Sequence, residues 1–537
     1  MRVNRAEMMK RVQVLKPGRS VFDLSYSKKM SGRMGFLYPM MCDEVVPGDV
    51  FEIGADAVIR FAPMVAPVLH EITLKADWFF VPYRLLGKEA GTSINKDGHT
   101  VWEKFITGGQ NGNDVATRRD LGLVNMGADF IPEGSLLDHL GFPTGVKLSS
   151  SFGADSPLAF PAQAYFFIWN EYYRDPNLED EANFRIDIPV SYNLKYANWD
   201  ADYFTRALPW QQRGTAPALP VSGSTSAVWP DAAFVQTSPA GSAVGTAGFE
   251  TAAAQNRMQT GADANAFANA KGFFARNTVD LSSATTFDVS DIRLAVQIQR
   301  WLERNARSGA RYTEFLNAHF GTAPRDERIS RPEYIGGIRQ PIIISEVLQT
   351  SQTGVTPQGN LAGHGIMAGS HYIGKYHVKE YGLIMCLMSI QPKPAYQQGI
   401  NRQWMRQTKY DFYHPEFANL SEQGIYNTEI LTQAAEANNM AIWGYQGRYD
   451  EMRVKHDQVA GAFRSSLNYW HLGRIFSGLP ALNSTFGHVD PTTVTRIFAV
   501  PSADHLYVHW GNRVKAIRPM PYQSNPGLLD HDFGGYC

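Results

Sequence analysis

The chain has 537 residues, 44% of them hydrophobic, with 50 Lys and Arg set against 51 Asp and Glu. That much apolar material excludes a disordered tail, and a net charge of −1 excludes a globally basic nucleic-acid coat, leaving only local basic patches. Only 19% of residues are charged, below the quarter usual for a soluble chain, as expected where much of the surface is buried against other subunits.

Residues 1–20 form a basic arm, with Arg2, Arg5, Lys10, Arg11, Lys16 and Arg19 against a single acid, Glu7. The arm has no apolar run of seven residues, so it is not expected to be a signal peptide. Such an arm reads either as a non-specific contact to nucleic-acid phosphates, with Arg2, Arg5, Lys10 and Arg11 as the candidates, or as a solvated or subunit-docking arm. Strand signals follow. Ile72, Leu74, Ala76, Trp78 and Phe80 alternate with polar residues, the period of a half-buried strand, and Ile186–Val190 reads as a short one. Between them, Ala164–Arg174 is apolar on three sides and predicts a buried helix.

Residues 214–290 differ from the rest: 42 of 77 are Ala, Gly, Ser or Thr and only 8 are charged. Aromatic residues recur through the stretch, Trp229, Phe234, Phe249 and Phe267 among them, which a flexible linker would lack. It reads as a folded, surface-projecting insertion packed by those aromatics, dividing a first core segment (21–213) from a second (291–537). Ser290 and Asp291 then cap a helix with Leu294, Ile298, Trp301 and Leu302 on one stripe, closed by Gly309. Tyr312–Phe320 predicts a second short amphipathic pair of turns. Further on, the apolar run Gly382–Ile390 reads as a strand buried on both faces and is about half the length a bilayer span needs. No membrane insertion is expected. Thr495–Val500 and His505–Trp510 predict two more strands.

Little of this offers chemistry. Cys42, Cys386 and Cys537 are odd in number and far apart, which makes neither a disulfide framework nor a zinc module; the expected compartment is a reducing cytoplasm. Gly369–Lys375 has phosphate-loop spacing, but Tyr376 stands where a Ser or Thr is required and the flanks read as strands. Gly363-His-Gly365 misses the dinucleotide spacing and reads as loop. Glu44 and Asp49 flank a Pro-Gly turn, where solvent exposure is the ordinary reading. His505 and His509 share a strand face about 13 Å apart, too far to share an ion, and read as surface or interface residues. Asp530-His531-Asp532 is a weak candidate for a divalent cation. Trp404-Met-Arg406 and Trp470-His-Leu-Gly-Arg474 combine aromatic and basic residues as single-strand stacking sites do. No catalytic residue, cofactor or metal site is expected.

Several ordered blocks carry a resemblance. Phe22-Asp-Leu-Ser25, Glu44-Val-Val-Pro-Gly-Asp49, Phe79-Phe-Val-Pro-Tyr-Arg84, Trp169-Asn-Glu-Tyr172 and Tyr203-Phe-Thr-Arg-Ala-Leu-Pro-Trp210 lie in the first half. Ile344-Ser-Glu-Val-Leu-Gln-Thr350, Ala395-Tyr-Gln-Gln-Gly399, Pro415-Glu-Phe-Ala-Asn-Leu420 and Ile517-Arg-Pro-Met-Pro521 follow. Together they resemble the major capsid proteins of microviruses, most closely the gokushovirus-like branch of tailless single-stranded DNA phages. The resemblance runs from about residue 20 to 530 and leaves out 214–290, the region where the family carries a variable insertion projecting at three-fold axes. It implies an eight-stranded antiparallel jelly roll with long inter-strand insertions and a few helices. It also implies self-assembly into a T=1 icosahedral shell around circular single-stranded DNA, in a virion built in the bacterial cytoplasm. The implied partners are further copies of the chain, the genome, minor virion proteins of the DNA-binding or pilot kind, and a host surface receptor, with a glycan among the candidates.

Two other classes share the composition. A carbohydrate-binding or carbohydrate-active jelly roll would need paired carboxylates in one cleft. A free single-strand DNA-binding protein would carry net positive charge, against the −1 found here.

Overall fold

The computed structural model describes residues 18–88, 100–107, 116–125, 130–145, 156–189, 192–214, 289–307, 330–348, 361–434 and 436–522. The chain divides into two compact units, Met1–Gln211 with Ser308–Cys537, and Gln212–Arg307.

The first unit is mainly β. Ten strands build two antiparallel sheets: β1 (Ser20–Asp23), β2 (Tyr26–Gly32), β3 (Tyr38–Val45), β4 (Val50–Phe61), β5 (Ile72–Pro82), β6 (Glu333–Pro341), β7 (Ile343–Leu348), β8 (Leu361–His377), β9 (Gly382–Pro392) and, after a long insertion, β12 (Leu506–Arg518). One sheet runs β1-β12-β4-β8-β7, with β2 also on β12; the other runs β3-β9-β5-β6. Alternation decides which faces meet. Phe51, Ile53, Ala55, Ala57, Ile59 and Phe61 of β4 point into one continuous core with Leu506, Val508, Trp510, Val514 and Ala516 of β12. Ile72, Leu74, Ala76, Trp78 and Phe80 of β5 meet them from the other sheet.

Every residue of β9 is buried, because its outer face is covered too. A helix, α2 (Phe160–Ile168), continues as a π-helical turn over Trp169–Tyr173 and lies against β9. Tyr165 fixes it there: its hydroxyl donates to Leu37 O (2.9 Å) and accepts from Lys195 N (2.8 Å). The buried helix predicted at 164–174 is therefore real and starts four residues earlier. A preceding short helix, α1 (Val101–Thr107), packs Trp102 on Tyr83 and Phe160.

Between β9 and β12 lies a 113-residue insertion whose Tyr396, Ile425, Ile430 and Phe486 form a second, small core with Tyr203, Phe204 and Ala207 of an earlier segment. A hairpin, β10 (Glu422–Tyr426) with β11 (Ile442–Gly447), sits on it. In the second unit, α3 (Val289–Arg307) matches the capped helix predicted from Ser290. Most of 214–290, the Tyr312–Phe320 turns and the Asp530–Asp532 cluster lie outside the described residues.

Four local expectations are corrected. Thr495–Ile497 is a 3-10 turn, because Phe498 must swing inward onto Phe61 and His505. Gly363-His-Gly365 lies in strand β8, where Gly363 lacks the side chain that would strike Ala66 O. Asp49 is fully buried: it accepts Val46 N–H (3.0 Å) to close the Pro-Gly turn and faces Arg518 at 3.4 Å. His505 precedes the strand and is buried, stacked on Phe498 with Nε2 accepting Met34 N–H (2.9 Å), whereas His509 is exposed. Burial and the Arg33 charge lower its pKa to about 4.

Candidate assembly surface

The described residues contain no cluster of three metal-ligating side chains and no helix long and apolar enough to cross a membrane. Burial pushes the Cys42 thiol up to about 12 and raises that of Cys386 well above its ordinary value, so neither serves as a nucleophile at neutral pH. The Gly369–Lys375 segment pairs with β4 inside a sheet and leads into no helix, so it lacks the N-terminus that would receive phosphate.

What the fold does expose is unpaired apolar surface. The insertion opens with three 3-10 turns, Arg402–Trp404, Lys409–Asp411 and Pro415–Phe417. Asp411 locks the second: Oδ2 accepts the Thr408 N–H (2.8 Å) and hydroxyl (3.0 Å) and the Gln407 N–H (3.0 Å). These bonds hold its carboxyl below the usual range. The rigid turns present Tyr410, Phe412, Tyr413 and Leu420, all more than half exposed, and Trp404 at 76%. Cations sit on the ring faces: Arg406 is 5.0 Å from the Phe412 centroid and Lys409 5.1 Å from that of Tyr410. Exposed Trp, Tyr and Arg together are the composition of an interface centre.

Behind this layer Arg402 anchors the insertion. It donates to Glu429 Oε1 (2.9 Å) and Gly424 O (2.6 Å) and lies over Tyr426. Glu429 is almost fully enclosed; burial raises its pKa, and Arg402 opposes that rise. A second exposed element is β7, at the edge of its sheet, with Ile343, Val347 and Leu348 turned outward. An apolar edge strand invites a partner.

A third feature was not legible in the sequence. Phe79, Tyr172, Trp199 and Tyr334 line a cleft of about 370 Å³ with Asp77 and Asp200. Asp77 accepts from Tyr173 (3.1 Å) and Tyr334 (3.3 Å), Asp200 pairs with Lys75, and Gln391 approaches Asp200 at 3.4 Å. Both carboxylates are thus already engaged. The pair lies 123 positions apart in sequence, and no spacing rule joins them.

The two aromatic–basic candidates part company. Trp404 is on the surface, with Arg406 half-buried near it. Arg474 instead points into the insertion's core, 3.9 Å from the Phe486 centroid with Nη2 donating to Phe486 O (2.7 Å), and His471 is buried with both ring nitrogens bonded to backbone. Arg2, Arg5, Lys10, Arg11, Trp229, Phe234, Phe249 and Phe267 lie outside the described residues. The exposure of 400–420 left only one trace in the sequence, the run Lys409-Tyr-Asp-Phe-Tyr-His414, which follows neither a strand nor a helix period.

Comparison with known proteins follows the same lines. The family described as capsid protein (F protein) matches residues 10–528. The capsid protein VP1 of Chlamydia phage 1 is 32% identical, covering 95% of this chain and 96% of its own. That of Bdellovibrio phage phiMH2K is 32% identical with 91% of each covered, and that of Spiroplasma virus 4 is 31% identical with 95% of each.

Proposed function

This chain belongs to the phage capsid protein (F protein) family, and from that membership we propose that it is the major capsid protein of a T=1 icosahedral shell enclosing circular single-stranded DNA. The match over residues 10–528 carries the reading. The role is structural, in the virion, with assembly in the host bacterial cytoplasm.

The fold is read as an eight-stranded jelly roll. The order β2-β12-β4-β8 in one sheet and β3-β9-β5-β6 in the other supports it, since every link but β5 to β6 passes from one sheet to the other. Stability of the shell follows from closure: many modest contacts, each repeated about a symmetry axis, need no single tight pair. The exposed aromatic turns and the β7 edge are the surfaces that such contacts would bury. The insertion at 214–290, packed by Trp229, Phe234, Phe249 and Phe267, projects at the three-fold axes for attachment to a host receptor. The arm residues Arg2, Arg5, Lys10 and Arg11 face the genome, and minor virion proteins of the DNA-binding or pilot kind complete the particle.

Negative-stain electron microscopy of the purified chain beside a 214–290 deletion tests this. Closed particles of uniform diameter, with protrusions lost in the deletion, are expected. A wild-type chain that stays monomeric at every concentration and salt, with or without its minor proteins, overturns the reading. For the arm, charge reversal of the four basic residues should lower DNA content; unchanged content sinks that assignment.

Carbohydrate binding is a second reading, favoured by the cleft where aromatic rings flank Asp77 and Asp200. Saturation-transfer NMR with a panel of monosaccharides, on the wild type and on Tyr334→Ala, tests it; signals absent from the wild type end it.

A further inference from the structure

Three arginines, Arg402, Arg406 and Arg448, line one small recess beneath the exposed aromatic turns, together with Met405, Gln407 and Asp411. Their charges are not equally spent. Arg402 is neutralised by the enclosed Glu429, and Asp411 is occupied in capping Thr408. Arg406 and Arg448 make no ion pair with any carboxylate among the described residues, and each keeps a buried Nε–H with no acceptor. Arg448 is held by its Nη2 donating to Tyr410 O (3.1 Å) and by the Tyr449 ring 5.0 Å away, and Arg406 by the Phe412 ring. The two guanidinium groups are thus fixed in place and under-bonded. Buried donors of this kind are normally satisfied, and among the described residues no protein group satisfies these two.

We infer that this recess is an oxyanion socket that receives a side-chain carboxylate from a second copy of the chain. Three observations select that occupant. The recess holds about 30 Å³, room for roughly two water-sized groups and so for a carboxylate tip rather than a ring. Guanidinium forks match carboxylates in a bidentate fashion and gain most when desolvated. The Phe412 ring lies against Arg406 and the Tyr410 carbonyl accepts from Arg448, so exposed aromatic residues adjoin the charge and can exclude water once a protein face is seated. The socket rests on the capsid reading, because only self-assembly brings a second copy to it.

The test replaces Arg406 and Arg448 together by Gln and leaves Arg402 untouched. Light scattering and electron microscopy follow shell formation, and circular dichroism follows the fold. A concentration threshold for assembly raised tenfold or more is expected, with Lys at both positions failing to restore it. In parallel, Trp404→p-benzoylphenylalanine in the otherwise wild-type chain is irradiated after assembly. Trp404 is 76% exposed, so the replacement leaves the core intact even if the double variant does not fold. Mass spectrometry should find the crosslink joined to a peptide of another copy that carries an Asp or Glu. Shells that form at the wild-type threshold in the double variant, or a crosslink to nucleic acid or to nothing, overturn the socket while leaving the capsid reading intact. A wild-type chain that never forms shells removes both.

Discussion

Trp78 on β5 and Trp510 on β12 meet across the sandwich with ring centroids 6.0 Å apart and planes tilted by 31°. Both are fully buried. The contact is anchored by a polar chain: Trp510 Nε1 donates to Asn512 Oδ1 (2.9 Å), and Asn512 Nδ2 donates to Met40 O on β3 (3.1 Å). One strand thus ties itself to the opposite sheet by both packing and hydrogen bonds.

Trp510→Ala should therefore cost about 3–5 kcal/mol, from a large cavity between the sheets with Asn512 losing its partner as well. Urea unfolding of the unassembled chain measures it. A loss below about 1 kcal/mol would mean that the sheets do not meet at this pair.

Arg402→Met should cost about 3–5 kcal/mol at pH 7.5, because it strands the enclosed Glu429 carboxylate. Burial already raises the Glu429 pKa, and loss of Arg402 raises it further. A carboxyl with a raised folded pKa binds a proton more readily in the native state, so stability of this variant recovers as pH falls and is lost as pH rises through that pKa. Denaturation midpoints at pH 5.5 and 7.5, wild type against variant, read the difference; an equal deficit at both pH values contradicts it.

His505, with its pKa lowered to about 4 by burial, acts in the opposite direction. The unfolded chain takes up the proton near pH 6.5 and the folded chain only near 4, so stability is present above 6.5 and declines as pH falls towards 4. The full span is worth about 3 kcal/mol. His505→Gln keeps an acceptor for Met34 N–H without titrating. Its stability between pH 7 and 5 should fall by less than that of the wild type, and parallel curves would refute the assignment.

Gly399→Ala should prevent the insertion from folding. A Cβ at this position would collide with the Glu429 carbonyl carbon and oxygen, backbone atoms that cannot rotate away. The cost should exceed the roughly 1–3 kcal/mol of ordinary overpacking. Limited proteolysis should cut 393–505 in the variant under conditions that leave the wild type whole; equal resistance would show that the backbone yields.

Much of the frame was legible in the sequence because it rests on local periodicity. Alternation gave β5, the continuous apolar run gave β9, and Ser290 with its stripe gave α3. The ordered blocks carried the family, since their joint order survives where no single block is diagnostic. The failures share one cause. Asp49 and His505 look like surface residues in sequence, and only distant chain covers them: Arg518 lies 469 positions beyond Asp49, and Met34 lies 471 before His505. Thr495–Val500 has strand composition, yet packing of Phe498 on Phe61 bends it into a turn. The candidate surface divides in the same way. Sequence alone determined an under-charged, aromatic-rich chain suited to burial against its neighbours, because composition sets how much surface can be left to water. Only the tertiary structure decided that Arg474 turns inward while Arg406 and Arg448 line one recess beside exposed aromatic residues, because residues brought together by folding owe their proximity to no spacing along the chain.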